Sequence, residues 1–234
     1  MGNGAAMRIA AIFLMVSSLA VTAMAADKSD LDDRIRALTV KFEEMQQKPD
    51  KAIPPDKLKQ ALGVVLLDRT KAGFLFAYQG GGGVALVRTS PKANWSPAAF
   101  LSANEASLGF QVGGEQNFFV ILLMTTNATR YLTEPKYDFA GEARGTAGNS
   151  TAGEQGVISS SGPPVLVYDD RAGLYGGAAL KGGAISPDNK ANLIYYGKAL
   201  TMTDILFDRA AQSTPATQDL VQQIDKYSKP RPKD

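Results

Sequence analysis

The chain has 234 residues, of which 25 are basic and 23 acidic, so its formal net charge is only +2. A balance this close to neutral gives little long-range attraction to nucleic acid or to a membrane, and no nucleic-acid partner is expected. The sequence contains no histidine and no cysteine, which excludes thiol catalysis, Ser-His-Asp hydrolysis and the usual zinc sites.

The N-terminus has the organisation of a secretory signal peptide. One positive charge, Arg8, precedes the apolar segment 9–21, and the small residues of the sequence AMA end at Ala25. These features predict export with cleavage after Ala25. A membrane-spanning helix needs about 20 apolar residues, and this segment is shorter. A retained membrane anchor is the alternative interpretation. We therefore expect residues 1–25 to be a signal peptide and the mature protein to be soluble, either periplasmic or associated with the envelope.

The first element of the mature chain is predicted to be an amphipathic helix over residues 29–47. Ser29 is the expected N-cap, with Asp32 three residues later. Apolar side chains follow at the spacing of one helical stripe, namely Leu31, Ile35, Leu38, Phe42 and Met45. Acidic and basic residues mix on the polar face, whereas membrane-surface helices are usually rich in Lys and Arg. The pattern favours packing on the protein's own domain or on a partner, and residues 26–52 are assigned to this helix and a linker.

Residues 53–210 are predicted to form one β-rich domain. After a short helix that begins at the Pro54-Pro55 pair, apolar or aromatic segments alternate with glycine, asparagine and proline. The predicted strands are 72–78, 83–88, 107–114, 117–124, 164–169 and 173–180, with 192–197 as a further candidate, while 63–68 fits either a helix end or a buried strand. The pattern indicates an α+β fold, with an antiparallel, strongly curled, barrel-like sheet and flanking helices.

The run FFVILLM, residues 118–124, has no alternation of apolar and polar residues. This is typical of a strand that is buried on both faces, and it favours the run as the central strand. Residues 141–164 are rich in glycine and serine and are predicted to form a long exposed loop. Helices are expected near 202–207 and over about 215–227, so residues 211–234 form a C-terminal helix and a basic tail.

Two glycine-rich segments raise the question of phosphate binding. QGGGGV, residues 79–84, lacks the Lys and Ser or Thr of a phosphate loop, and we interpret it as a hairpin connection. The segment GLYGGAALKGGAI, residues 173–185, contains five glycines. A glycine in a strand is destabilising by about 0.5–1 kcal/mol relative to alanine, and sharp coiling of the sheet or close packing against another group would offset this loss of stability. A backbone cradle for an anion, with Lys181 as its counter-charge, is the alternative.

Taken in order, several segments resemble the SYLF lipid-binding domain family, and in particular its exported bacterial branch. They are IPPDKLKQALGVVLLD, GGGVALVR, NWSPAAF, SLGFQVGG, FFVILLM, GLYGGAALKGGAI and NLIYYG, and they span about 53–207. The resemblance implies a sheet-rich core with flanking helices, no enzymatic activity and binding of anionic phospholipid headgroups, which for eukaryotic relatives means phosphoinositides. Fungal members are described through actin binding, but actin is absent from a bacterial envelope and is not expected as a partner here.

Basic side chains supply the candidate ligands for an anionic headgroup. Lys181 and Arg144 lie in glycine-rich segments that match the family, and Arg88 and Lys71 lie in or beside its β-rich part. We expect an anionic phospholipid or membrane surface as the partner, with no cofactor, metal or catalytic residue. Two alternatives stay open, namely a module that holds an envelope protein through residues 29–47 and 141–164, and a hydrolase that uses two of the scattered carboxylates.

Overall fold

The structure is a computed structural model that describes residues 27–68, 81–103, 118–137, 164–170, 173–175 and 185–230. Several sequence predictions lie outside these ranges. They are the signal peptide, the strands 72–78 and 107–114, the loop 141–163, and the part of GLYGGAALKGGAI between residues 176 and 184.

Seven strands pair into one sheet of order β6-β5-β4-β1-β2-β3-β7, and every neighbouring pair is antiparallel. The strands are β1 (Gly63–Asp68), β2 (Gly81–Val87), β3 (Ala99–Ala103), β4 (Phe118–Leu123), β5 (Val165–Asp169), β6 (Gly173–Tyr175) and β7 (Ile185–Pro187). Within the described ranges the sheet is open, with β6 and β7 at its edges. The mixed helix and antiparallel sheet class is confirmed, whereas the strongly curled, barrel-like form is not confirmed.

Helices cover both faces of this sheet. In the described ranges they are α1 (Lys28–Gln47), α2 (Pro55–Gln60), α3 (Thr126–Arg130), α4 (Asn189–Tyr196), α5 (Met202–Leu206) and α6 (Pro215–Tyr227), and a 3₁₀ turn at Tyr131–Thr133 follows α3. Helices α1, α2, α4 and α6 share a core with one face, and α3 and α5 share a core with the other. None of the described helices is both long enough and apolar enough to span a bilayer.

Alternate side chains of the inner strands enter these two separate cores. All six residues of β4 are buried, with Phe118 in the core below α1 and its neighbour Phe119 in the core on the opposite face. Strands covered on both faces read as continuous apolar runs, which explains the missing alternation in 118–124. The middle strand of the seven is β1 with β4 beside it, so the prediction of 118–124 as the central strand was wrong by one position. The segment 63–68, which the sequence left open between a helix end and a buried strand, is thus a strand with five of its six residues buried.

Helix α1 starts one residue earlier than predicted, because Asp27 and not Ser29 is its N-cap. The Asp27 carboxylate accepts the backbone N–H groups of Ser29 at 2.7 Å and Asp30 at 3.0 Å, and the Asp30 carboxylate accepts the N–H of Asp27 in return. A charged acceptor suits a helix N-terminus, and the hydrogen bond from the Ser29 hydroxyl, followed by those from the backbone, lowers the pKa of Asp27. The predicted apolar stripe is confirmed, since all five of its residues are buried.

The segment 192–197 is helical and was wrongly predicted as a strand. The Asp188 side chain caps α4 by accepting the N–H of Ala191 at 3.0 Å, and Gly197 ends the helix with a left-handed φ of 67°. Ala191, Asn192 and Tyr195 are its buried residues, which is the spacing of a helix face. Short apolar and aromatic runs do not separate helix from strand by periodicity alone, and here the two caps decide.

Candidate functional site

A surface hollow of about 420 Å³ lies between the segment 91–95, which follows β2, and the outer face of α6. Arg88 and Trp95 line it from the sheet side, Lys92 from the loop, and Gln218 and Asp225 from the helix. The sequence of α6 explains why its polar side chains line the hollow. Thr214 caps the helix and Pro215 occupies its first turn, while the residues of its buried face are Ala216, Thr217, Leu220 and Ile224. Gln218 and Asp225 are exposed on the remaining surface of the helix.

Ser96 fixes the loop that forms the other wall. Its hydroxyl accepts the backbone N–H of Val87 at 3.0 Å, and its own N–H donates to the Val87 carbonyl oxygen at 2.8 Å. These two hydrogen bonds to the end of β2 turn the chain back towards the sheet. As a result Trp95, the only tryptophan of the chain, is 7% exposed. Trp95 therefore pins this turn onto the core shared with α1 and α6.

Arg88 is held rigidly at the base of the hollow. Its Nε donates to the Ala61 carbonyl oxygen at 2.9 Å, and its Nη2 donates to those of Leu58 at 3.2 Å and Lys59 at 2.9 Å. These carbonyl groups belong to the end of α2 and have no further turn of helix to bond to. The guanidinium carbon lies 4.2 Å from the centre of the Trp95 ring. One side chain thus caps a helix and stacks on an aromatic ring, as the planar guanidinium allows.

Part of the guanidinium remains available. A guanidinium has five N–H donors, and the Nη1 pair of Arg88 has no hydrogen-bond partner in the described part of the chain. Burial lowers the pKa of Arg88, and the negative charge of Asp225 opposes this shift. The side chain stays charged at neutral pH because a guanidinium is not deprotonated in proteins. The hollow can therefore offer a fixed positive charge to an anionic group.

A second donor without an acceptor lies beside it. The indole Nε1 of Trp95 is buried and has no hydrogen-bond partner within the described ranges. A buried indole N–H usually has an acceptor. The side chain of Lys92, by contrast, is exposed and makes no ion pair with any described residue. The hollow therefore combines two cations with the ring of Trp95.

Of the four ligands that the sequence suggested, the structure describes Arg88, and Lys71, Arg144 and Lys181 lie outside the described residues. Sequence reasoning did not identify the stacking of Arg88 on Trp95 or the contribution of α6. The polar residues Gln218, Gln222 and Asp225 recur at helical spacing and signal an exposed helix face. The spacing of these residues does not show which segment of the chain lies opposite this face of α6.

Similarity to known proteins places the chain in a family. Residues 104–227, which include α6, match the family model described as Ysc84, Las17-binding protein actin regulator. LAS seventeen-binding protein 3 of Saccharomyces cerevisiae is 32% identical over 164 residues, which are 68% of this chain and 36% of that protein. SH3 domain-containing YSC84-like protein 1 is 29% identical in Homo sapiens, over 77% of this chain and 53% of that protein, and 30% identical in Xenopus laevis, over 77% and 54%.

The chain spans from about a third to about half of the length of these relatives. The name of the yeast relative describes a binding protein, and the description of the family model names a binding protein and actin regulator. The family model matches more than half of the chain. The chain belongs to the Ysc84 family of SYLF domains.

Proposed function

We propose that this protein is an exported, non-catalytic lipid-binding protein that recognises anionic phospholipid headgroups. The observation that carries the proposal is the Arg88 guanidinium, which is held by three carbonyl groups and keeps its Nη1 donors beside the hollow. Guanidinium donors match the oxygen geometry of a phosphate. Because the α2 carbonyls already hold Arg88 in place, little side-chain entropy is lost when a phosphate binds.

The family supports a binding role, since the yeast relative is named a binding protein and the family model is described as a Las17-binding protein and actin regulator. Recognition of the phosphoinositide type is proposed because the sequence resembles SYLF domains. The absence of histidine and cysteine from the sequence removes the commonest catalytic groups. The proposal that the protein works in the periplasm or at the envelope rests on the features of residues 1–25.

The charges of the hollow set how strong the binding can be. A basic residue near an anionic membrane contributes about 1 kcal/mol, so Arg88 and Lys92 together contribute about 2 kcal/mol. A millimolar dissociation constant already requires about 4 kcal/mol. We therefore propose that further basic residues contribute, and Lys71, Arg144 and Lys181 are the candidates.

Vesicle co-sedimentation tests the proposal. The purified protein should pellet with anionic phospholipid vesicles and stay in solution with neutral ones, and added salt should release it. Lys92→Gln should weaken the binding, whereas Lys136→Gln is the matched control, because Lys136 is exposed beside Tyr137 on the other face of the sheet. Equal recovery with both kinds of vesicle, or recovery with neither, would contradict headgroup recognition.

A protein-binding role is the second candidate, favoured by the name of the yeast relative as a binding protein. The exposed face of α1 is the surface to test, because the apolar side chain of Val40 is 53% exposed there. Val40→Asp should abolish capture of an envelope protein partner without changing vesicle binding. If capture persists in this variant, α1 is not the docking surface.

A further inference from the structure

The charges that line the hollow are of both signs. Among the described residues that line the hollow, Arg88 and Lys92 are the cations and Asp225 is the one carboxylate. None of the three forms an ion pair with another described residue. Asp225 is nevertheless close enough for its charge to raise the pKa of Arg88 against the effect of burial. The cations and the carboxylate therefore border the same hollow without neutralising each other by direct contact.

A site for a bare phosphate gains nothing from such a carboxylate. Asp225 repels a phosphate that approaches Arg88, and it gains an ion pair only if the same ligand carries a positive group. Rejecting competitors by repulsion is a common source of specificity. Two cations and one carboxylate complement a ligand that has two anionic groups and one ammonium group.

We propose that the hollow selects an anionic phospholipid headgroup that also carries a primary ammonium group, as a phosphoserine headgroup does. The Nη1 donors of Arg88 and the ammonium of Lys92 bind the two anionic groups, and Asp225 accepts the ammonium group of the ligand. The ring of Trp95, whose centre lies 4.2 Å from the Arg88 guanidinium carbon, lines the same hollow. This inference rests on the proposed function and narrows its ligand.

Vesicles of equal charge separate ammonium recognition from simple attraction. Phosphatidylcholine vesicles that contain the same mole fraction of phosphatidylserine or of phosphatidylglycerol carry the same net charge, but only the serine headgroup adds a primary ammonium group. Co-sedimentation and the fluorescence of Trp95, the sole tryptophan, report binding. The protein should bind the phosphatidylserine vesicles about twofold to fivefold more tightly, the range of an exposed ion pair.

Asp225→Asn makes the test specific. It should weaken binding to phosphatidylserine and strengthen binding to phosphatidylglycerol, because the variant loses the ammonium acceptor and the repulsion of phosphate together. Asp219→Asn is the matched control, since Asp219 is exposed on the same helix and does not line the hollow. It makes the same change in net charge and should shift both affinities in the same direction.

The outcomes separate this inference from the function on which it rests. Equal binding of the two anionic vesicles, with Asp225→Asn and Asp219→Asn alike, overturns ammonium recognition and leaves anionic lipid binding intact. Binding to phosphatidylethanolamine vesicles as tight as to phosphatidylserine also overturns the assignment, because that headgroup has no net negative charge. Failure to bind any vesicle contradicts the proposed function itself.

Discussion

The guanidinium of Arg34 in α1 occupies the space above Gly82 of β2 that a side chain at residue 82 would fill. From this position its Nη2 donates to the Leu101 carbonyl oxygen at 3.0 Å, and its Nη1 lies 3.7 Å from the Asp188 carboxylate. The hairpin connection predicted for residues 79–84 was wrong for 81–84, which belong to β2, whereas residues 79 and 80 lie outside the described ranges. Gly81, Gly82 and Gly83 are part of a strand, and the missing Cβ at residue 82 admits a side chain from the helix above.

Gly82→Ala should destabilise the protein by about 1–2 kcal/mol, because the new Cβ displaces Arg34 from its hydrogen bond. Chemical denaturation measures the change. In an Arg34→Ala background the same substitution should be neutral or stabilising, since alanine is better than glycine in a strand by about 0.5–1 kcal/mol. The difference between the two backgrounds is the coupling energy of the pair.

Gly83→Ala is the comparison that tests this explanation. A Cβ at residue 83 would meet the carbonyl oxygen of Leu66, which is backbone of the neighbouring strand and has no freedom to rotate away. We expect a larger loss of stability than for Gly82→Ala, and one that Arg34→Ala does not relieve. If each glycine substitution lowers stability by the same amount with Arg34 present as with Arg34→Ala, the role given to Arg34 is contradicted.

Arg88→Lys keeps the positive charge but loses the fork that bonds the α2 carbonyls. Because a lysine ammonium cannot reproduce the three bonds in this geometry, the free energy of unfolding should fall by about 1–3 kcal/mol, and Trp95 emission should change as its stacked cation leaves. Arg209→Lys is the control, since its Nη2 donates to the Asn94 carbonyl oxygen on the exposed surface. It should change stability by less than about 0.5 kcal/mol.

The elements that the sequence predicted correctly are those whose pattern is local. The apolar stripe of α1 and the buried face of α6 recur at helical spacing, and β2, β4 and β5 read as short apolar runs between breakers. The strands β3 and β7 were not predicted. They have five and three residues, and β7 lies at an edge of the sheet, so tertiary pairing and not local pattern defines them.

The candidate site, too, depends on contacts between residues that are distant in the sequence. Arg88 was identified as a candidate, but its carbonyl partners lie 27 to 30 residues earlier in the chain. Asp225 comes from the far end of the chain. Spacing along a sequence does not show which charges meet across such distances, so the mixed sign of the hollow was visible only in the folded structure.

Asn192 is a buried link between α4 and β3. Its Oδ1 accepts the backbone N–H of Phe100 at 2.8 Å, and its Nδ2 donates to the Phe100 carbonyl oxygen at 3.2 Å. Asn192→Asp replaces the donor with a charged acceptor in a fully buried position, and it should destabilise the protein by about 2–4 kcal/mol at neutral pH.

Asn189→Asp provides the matched control for this prediction. The same change falls in the exposed first turn of the same helix, where a negative charge interacts favourably with the helix dipole. It should be neutral or slightly stabilising in urea denaturation. Similar losses for the two variants would show that the paired bonds to Phe100 contribute little.

The raised pKa of Tyr195 leads to a prediction of how stability changes at high pH. Its hydroxyl donates to the Asp32 carboxylate at 2.5 Å and lies 2.5 Å from the Thr214 hydroxyl. Burial, followed by the bond to Asp32, raises the pKa of Tyr195 to about 12, whereas an unfolded tyrosine has a pKa near 10. As the pH rises past about 10 the unfolded chain loses this proton first, so the free energy of unfolding falls until about pH 12.

Tyr195→Phe should therefore make this fall shallower, although it lowers stability at neutral pH by removing the bond to Asp32. Urea denaturation at a series of pH values between about 8 and 12 measures the slope, which reports the difference in bound protons. Asp32→Asn keeps an acceptor but removes its charge, so it lowers the pKa of Tyr195 towards the unfolded value and should give an intermediate slope. Because burial also raises the pKa of Tyr168 to about 12, part of the fall should remain in both variants. A slope that Tyr195→Phe leaves unchanged would show that Tyr195 titrates alike in the folded and unfolded states.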